Sequence, residues 1–260
     1  VNPKELADYN SAAWDRQVEG GNEWTRPVGP EAVREARAGR WSIFLTPSIP
    51  LPRTWFPDEM KGAKILCLAS GGGQQGPILA AAGAEVTVLD NSEKQLGQDR
   101  LVSERDGLTI RLVKGNMKDC SAFRDGEFDL IVHPVSNVFC DDVKPVWKEA
   151  YRVLRSGGVL LSGVTNPIVF IFDPEAMAQN KLEVRYRIPY SDLEQLPERL
   201  ISLYREKGQP LEYGHSLDDL LGGQITAGFR LTGFFEDDYR GSMPIDRHIK
   251  WFIATRAEKP

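Results

Sequence analysis

The chain has 260 residues, 41% hydrophobic and 27% charged, the balance of one large folded domain rather than of a disordered chain. Lys and Arg number 32 against 37 Asp and Glu, a net charge of −5, which lacks the basic excess that grips a nucleic-acid backbone. No apolar run reaches the ~20 residues that span a bilayer, and the opening VNPKELADYN has no signal-peptide core.

Residues 1–60 are rich in Trp, Pro and Arg and read as an N-terminal extension. Pro47, Pro50, Pro52 and Pro57 exclude a continuous helix from its second half. From residue 61 to 162 the texture changes to alternating strands and helices. KILCLA is a continuous apolar run, as in a strand buried on both faces. PILAAAGA then reads as a short helix stopped at Gly83, and EVTVLD as a β-branched strand ending on Asp90. SEKQLGQDRLVSER has helical spacing with Ser92 as its N-cap. TIRLVKG and FDLIVHP are two further strands. DDVKPVWKEAYRVLRSGG predicts an amphipathic helix with Val143, Val146, Trp147, Ala150, Tyr151 and Leu154 on one face and Gly157 past its end. GVLLSGV is the fifth strand.

Residues 163–215 interrupt this rhythm. SLDDLLGGQITAGF then predicts a helix or near-helix, followed by the strands FRLTGFFED and IKWFIATR. The connector EDDYRGSMPIDRH has no helical period, so these two strands form a long antiparallel hairpin rather than a parallel crossover. The expected fold is therefore α/β: a doubly wound, mostly parallel, seven-stranded sheet with an antiparallel C-terminal hairpin.

Residues 70–76 read Ser-Gly-Gly-Gly-Gln-Gln-Gly directly after the first strand. Gly71, Gly73 and Gly76 satisfy G-x-G-x-x-G, a spacing that lets the chain turn tightly and admits a ligand close to the backbone. Asp90 lies 19 residues after Gly71, at the end of the next strand, where a carboxylate can accept both hydroxyls of a ribose. Dinucleotides and S-adenosylmethionine share this grammar. Pro77 removes one N–H from the first helical turn, which disfavours a pyrophosphate, and so does a terminal hairpin in place of a parallel strand. Cys67, Cys120 and Cys140 are odd in number and widely spaced, which suits a reducing cytoplasm and makes no metal site.

These segments together resemble the class I S-adenosylmethionine-dependent methyltransferases that act on small molecules. ILCLASGGGQQGPILAAAGAEVTVLDNSEKQL is similar to their glycine-loop segment, and KGNMKD to their adenine-contacting turn. FDLIVHPVSNVFCDDVKPVWKEAYRVLRSGGVLL is similar to their fourth strand, helix and fifth strand; AGFRLTGFFED and WFIATR look like their last two strands. The resemblance implies that S-adenosylmethionine is the cofactor. It implies that Ala69, Gly71 and Gly73 bring the backbone against its methionine part, and that Asp90, with Asn91 beside it, binds the ribose. Gln95 would lie against the adenine, Asn116 and Met117 would meet its edge, and His133 would line the cofactor near the reacting methyl. Departures accompany these matches. Cys67 stands where the family commonly has an acid that helps order the loop, and Ala69 where it has glycine, which suits an alanine of negative φ. Asn116 replaces a usual Asp, and Val138 and Phe139 replace a His pair found in many relatives.

Methyl transfer from a sulfonium is an in-line displacement, so the protein supplies alignment and desolvation. No catalytic residue is assigned: His215 reads as a capping or packing residue and His248 as a surface one. Residues 163–215 carry Phe170, Phe172, Met177, Tyr186, Tyr190 and Tyr204, enough to wall an apolar acceptor pocket, and read as a lid-like insertion in a methyltransferase domain spanning 61–260. The 1–60 extension, with Tyr9, Trp14, Trp24 and Trp41, would cover the cofactor site from the other side. The expected activity is methyl transfer to a small-molecule acceptor, with neither nucleic acid nor membrane as partner. A dinucleotide-dependent oxidoreductase and a non-catalytic S-adenosylmethionine-binding module are the alternatives.

Overall fold

A computed structural model describes residues 3–260. Two helices open the chain, α1 (Pro3–Glu19) and α2 (Pro30–Arg37). The βα units follow: β1 (Lys64–Leu68), α3 (Gln75–Ala81), β2 (Glu85–Asp90), α4 (Glu93–Asp106), β3 (Ile110–Lys114), β4 (Phe128–His133), α5 (Lys144–Val153) and β5 (Leu154–Thr165). The insertion contributes α6 (Pro174–Ala178), β6 (Tyr190–Ser191), α7 (Asp192–Gln195), α8 (Glu198–Glu206) and β7 (Tyr213–Gly214). The chain closes with α9 (Gly223–Ala227), β8 (Arg230–Asp237) and β9 (Phe252–Glu258).

The large sheet has the order β3-β2-β1-β4-β5-β9-β8. β1 to β5 are parallel, and β9 runs antiparallel between β5 and β8, the arrangement expected from the sequence. Side chains alternate across each strand. Ile65, Cys67, Leu130, Val132 and Leu161 pack on the face covered by α2, α3 and α4. Leu66, Leu68, Ile131, Leu160 and Ile253 pack on the face covered by α5 and α9. Trp147 is the largest fully buried side chain of the second layer, and its indole N–H donates to the Asp219 carbonyl at 2.9 Å. Truncating such a residue to alanine costs about 3–5 kcal/mol. The chain leaves β1 in one direction and β4 in the other. The crevice between their C-terminal ends is thus the switch point where open α/β sheets bind ligands.

One local expectation is corrected. The amphipathic period of α5 continues to Leu154, but the helix stops at Val153. Leu154 is extended and pairs with Phe128, so LRSGG belongs to β5 and Gly157, at φ 72°, kinks a strand rather than ending a helix. SLDDLLGG opens as a single wide π-turn over Asp218–Gly222 before α9. Gly223 follows it against Trp147, where a Cβ would come within 2.8 Å of the indole. Within residues 163–215, Tyr190, Leu196, Leu200 and Ile201 form a small core of their own.

Candidate functional site

The site begins where β1 ends. Ala69 has φ 47° rather than the negative value an alanine prefers, and Gly72 and Gly73 have φ 111° and 70°. A left-handed alanine costs on the order of 1 kcal/mol. The turn is held by its own N–H groups. Gly71 donates to Asp90 Oδ2 at 2.9 Å, and Gly72 and Gly73 both donate to Asp99 Oδ2 at 3.1 Å. Gly72 shares its hydrogen with the Gln95 carbonyl at 3.0 Å. The glycines are also required by protein packing: a Cβ on Gly71 would lie 2.7 Å from Gln95 Cβ, and one on Gly73 would lie 2.8 Å from both the Gln98 carbonyl and Pro27 Cβ.

Asp99 was not singled out from the sequence. It is fully buried, burial pushes its carboxyl up to about 8, and Asp90 adds to the shift. Its position, three residues after Leu96 and three before Val102 on the inward face of α4, was the available signal. It supplies from α4 the loop-ordering carboxylate that Cys67 cannot supply from β1.

Above this turn lies a cavity of about 770 Å³ along the C-terminal edge of the sheet. Ala69, Gly71, Asp90, Asn91, Gln95, Asn116 and Met117 all line it. Asp90 is 8% exposed; Ser92 N–H donates to its Oδ1 at 2.9 Å. Burial pushes its carboxyl up, while the Ser92 and Gly71 hydrogen bonds oppose that. Gln95 Oε1 is buried without a partner among the described residues. Asn116 Oδ1 already accepts from Lys118 N–H at 2.9 Å, leaving one lone pair for a ligand.

Gly73 and His133 do not line the cavity. Gly73 is turned against Pro27 and Gln98. His133 is fully buried behind the wall, edge-on to Trp147 with centroids 6.0 Å apart. Its Nδ1 lies 2.7 Å from the Leu68 carbonyl and its Nε2 2.9 Å from the Asn137 side-chain amide. Burial lowers the ring's pKa, while the contacts with Leu68 and Asn137 oppose that. His133 ties the end of β1 to the turn after β4. His215 packs likewise, with Nε2 3.0 Å from the Asn137 carbonyl. His248 is exposed.

The N-terminal residues close one side. Asp15 of α1 accepts from the Ser92 hydroxyl at 2.6 Å and from Lys94 N–H at 3.0 Å, and the Ser11 hydroxyl donates to the Asn91 carbonyl at 2.6 Å. Trp14 and Trp24 line the cavity, and Trp14 meets Phe139 edge-on at 5.1 Å. From residues 163–215, Phe170, Phe172, Met177, Tyr190 and Tyr204 line the same cavity. Asn10 joins the two walls: its amide oxygen accepts from Leu211 N–H at 2.9 Å, and its amide nitrogen donates to the Phe139 carbonyl at 3.0 Å. Among the described residues no His, Cys, Asp and Glu group is placed to hold a metal ion.

The features at the Asp90 end fit an adenosine: a carboxylate on the cavity wall, an unpartnered amide oxygen and a glycine turn that lines the cavity. A family model described as a methyltransferase domain matches residues 66–162. An uncharacterized methyltransferase of Bacillus subtilis, YbaJ, is 56% identical over 254 residues, which cover 98% of both chains. The chain belongs to the methyltransferase family. Among solved structures, an S-adenosylmethionine-dependent methyltransferase from Mesorhizobium loti has a TM-score of 0.57 at 19% identity, covering 79% of this chain and 94% of its own. A Burkholderia thailandensis 1,6-didemethyltoxoflavin-N1-methyltransferase, with bound 1,6-didemethyltoxoflavin and S-adenosylhomocysteine, has a TM-score of 0.60 at 15% identity. That match covers 100% of this chain and 91% of the other. At such identities these likenesses concern the fold. The methyltransferase uses S-adenosylmethionine as its methyl donor.

Proposed function

We propose that this methyltransferase acts on a small, largely apolar molecule held between the Asp90 end of the cavity and the aromatic end built by residues 163–215. One observation carries the reading: a single cavity runs from Gly71 and Asp90 to Phe170, Tyr190 and Tyr204. Bound S-adenosylmethionine supplies a methyl group on a positively charged sulfur, a leaving group that needs no further activation. The chain's part is to bind, align and dry the reactants. Asp90 and Asn91 take the ribose, Gln95 lies against the adenine, and Asn116 and Met117 meet its edge. Ala69 and Gly71 present backbone to the methionine tail. Asp99 and Asp90 hold the glycine turn in the shape that does this. The aromatic end excludes water from the acceptor.

The 1–60 extension acts as one cover and the 163–215 segment as the other. The acidic balance and the cavity of about 770 Å³ support a small molecule over a nucleic acid. The buried free thiols support a reducing, cytoplasmic setting. The test is transfer of a labelled methyl group from S-adenosylmethionine into fractions of a cell extract. Label is expected in a low-molecular-mass organic product. Label found in RNA or protein alone would refute the reading.

A further inference from the structure

The aromatic end of the cavity holds two carboxylates. Asp192 opens α7 and is 5% exposed. Its Oδ1 accepts from the Tyr190 hydroxyl and its Oδ2 from Glu212 N–H, each at 2.8 Å. Glu212 lines the same cavity just before β7, and its own carboxylate has no hydrogen-bond partner among the described residues. Tyr190, Tyr204, Phe170 and Met177 line the same cavity. An acid in such a place costs free energy unless a ligand completes it.

The charge inventory of the wall is one-sided. Asp90, Asp141, Asp192 and Glu212 line the cavity, and Lys118 is the basic residue on it among those described. Lys118 is ion-paired to Asp141. Asp90 accepts from the glycine turn and faces the ribose position. Asp192 is committed to Tyr190 and to the Glu212 backbone. Glu212 therefore remains as an unmatched acceptor. An anionic acceptor would enter against these carboxylates with no free cation to receive it. A hydrocarbon would leave the Glu212 carboxylate dry and unpaired. A protonated amine on an aromatic or similarly apolar body satisfies both requirements: its N–H groups meet Glu212, and its body packs on the rings, where a cation is also stabilised.

We infer that the methyl acceptor is an amine-bearing apolar molecule, with Glu212 as the residue that recognises its nitrogen and Asp192 as the residue that positions Glu212. This rests on the proposed acceptor end of the cavity and specifies its substrate class. Burial, with Asp192 nearby, pushes the Glu212 carboxyl up to about 8 in the absence of a partner, so a bound cation would draw it back towards ionisation.

The test uses the protein saturated with S-adenosylhomocysteine, so that cofactor binding is measured first and independently. Two matched series then probe the acceptor end by calorimetry: tyramine, para-ethylphenol and para-hydroxyphenylacetate; and tryptamine, ethylindole and indole acetate. In at least one series the amine is expected to bind about tenfold tighter than the neutral analogue, with the carboxylate weakest. Glu212→Gln keeps the side-chain shape and is expected to reduce the amine to the affinity of its neutral analogue. Its S-adenosylhomocysteine affinity is expected to stay within about twofold of the wild type, well inside the tenfold that 1.4 kcal/mol represents. A carboxylate probe binding as well as its amine, or no amine preference in either series up to about 10 mM, would overturn the inference. So would an unchanged preference in Glu212→Gln. A loss of S-adenosylhomocysteine affinity in Glu212→Gln would also overturn it, by assigning the carboxylate to the cofactor. Failure of the wild-type protein to bind S-adenosylhomocysteine would instead count against the cofactor end.

Discussion

Replacing Asp99 tests how the glycine turn is held. Its Oδ2 accepts from Gly72 and Gly73 N–H at 3.1 Å, and its Oδ1 is buried without a partner among the described residues. In Asp99→Ala the Gly73 N–H is left unmade, while Gly72 retains the Gln95 carbonyl at 3.0 Å. One unmet buried donor costs about 1–3 kcal/mol, and the space left by the carboxyl adds roughly another 1 kcal/mol. The expected loss is about 2–4 kcal/mol, or roughly 5–15 °C in Tm for a chain of this size. Asp99→Asn is more discriminating, because its amide oxygen still accepts while the titration is gone. The wild-type carboxyl is pushed up to about 8 in the folded protein, whereas the unfolded chain releases the proton near the usual carboxylate value of about 4. The unfolded state therefore binds fewer protons across this window, and the wild type loses stability as pH rises from about 4 to about 8. The variant lacks that loss. Its stability relative to wild type should climb across the window, by at most about 1.4 kcal/mol per pH unit, and level off above it. Asp192 and Glu212, also pushed up by burial, are present in both proteins and drop out of the difference. Urea unfolding of both proteins at a series of pH values measures it. A difference that is flat with pH, or that shrinks as pH rises, would refute the assignment of a buried, mostly neutral Asp99.

Asp90→Ala should weaken S-adenosylhomocysteine binding by about 2–4 kcal/mol through lost ribose hydrogen bonds, read by calorimetry on protein whose circular dichroism is unchanged. Ala69→Gly relieves a left-handed alanine at φ 47° but adds freedom to the unfolded chain. The two terms nearly cancel, and the predicted stability change is between 0 and about +1 kcal/mol, read from denaturant midpoints. A clear destabilisation would mean that the methyl packs favourably against the cavity wall. Residues 163–215 should exchange amide hydrogens faster than β1, β4 and β5 in the ligand-free protein and slow down with cofactor and acceptor. Slow exchange unaffected by ligand would make the segment a permanent wall rather than a lid.

Much of this architecture was legible because it rests on local pattern. KILCLA, FDLIVH and GVLLSGV are apolar on both faces, which only a sheet covered on both sides accommodates, and the unpatterned EDDYRGSMPIDRH excluded a crossover helix. The glycine turn and Asp90 were legible because chain reversal and diol binding impose a spacing. Asp99 was not, since its partners lie 26 and 27 residues away and α4 otherwise reads as an exposed polar helix. His133 was expected at the ligand because the family resemblance implied it. Strand alternation turned it towards Trp147 instead. The pairing of Asp192 with Glu212 depends on the fold of an aperiodic insertion, where 20 residues separate two acids that meet through two backbone N–H groups. No sequence period announces that contact.

The proposed site holds the cofactor at the Asp90 end of one cavity and the acceptor at its aromatic end. A crystal structure of the protein with S-adenosylhomocysteine tests it most directly. The Asp90 carboxylate is expected within hydrogen-bonding distance of both ribose hydroxyls, Gly71 beside the amino-acid tail, and the sulfur facing open space bounded by Phe170, Tyr204 and Glu212. A ribose bound away from Asp90, or a sulfur turned from those residues towards solvent, would contradict it.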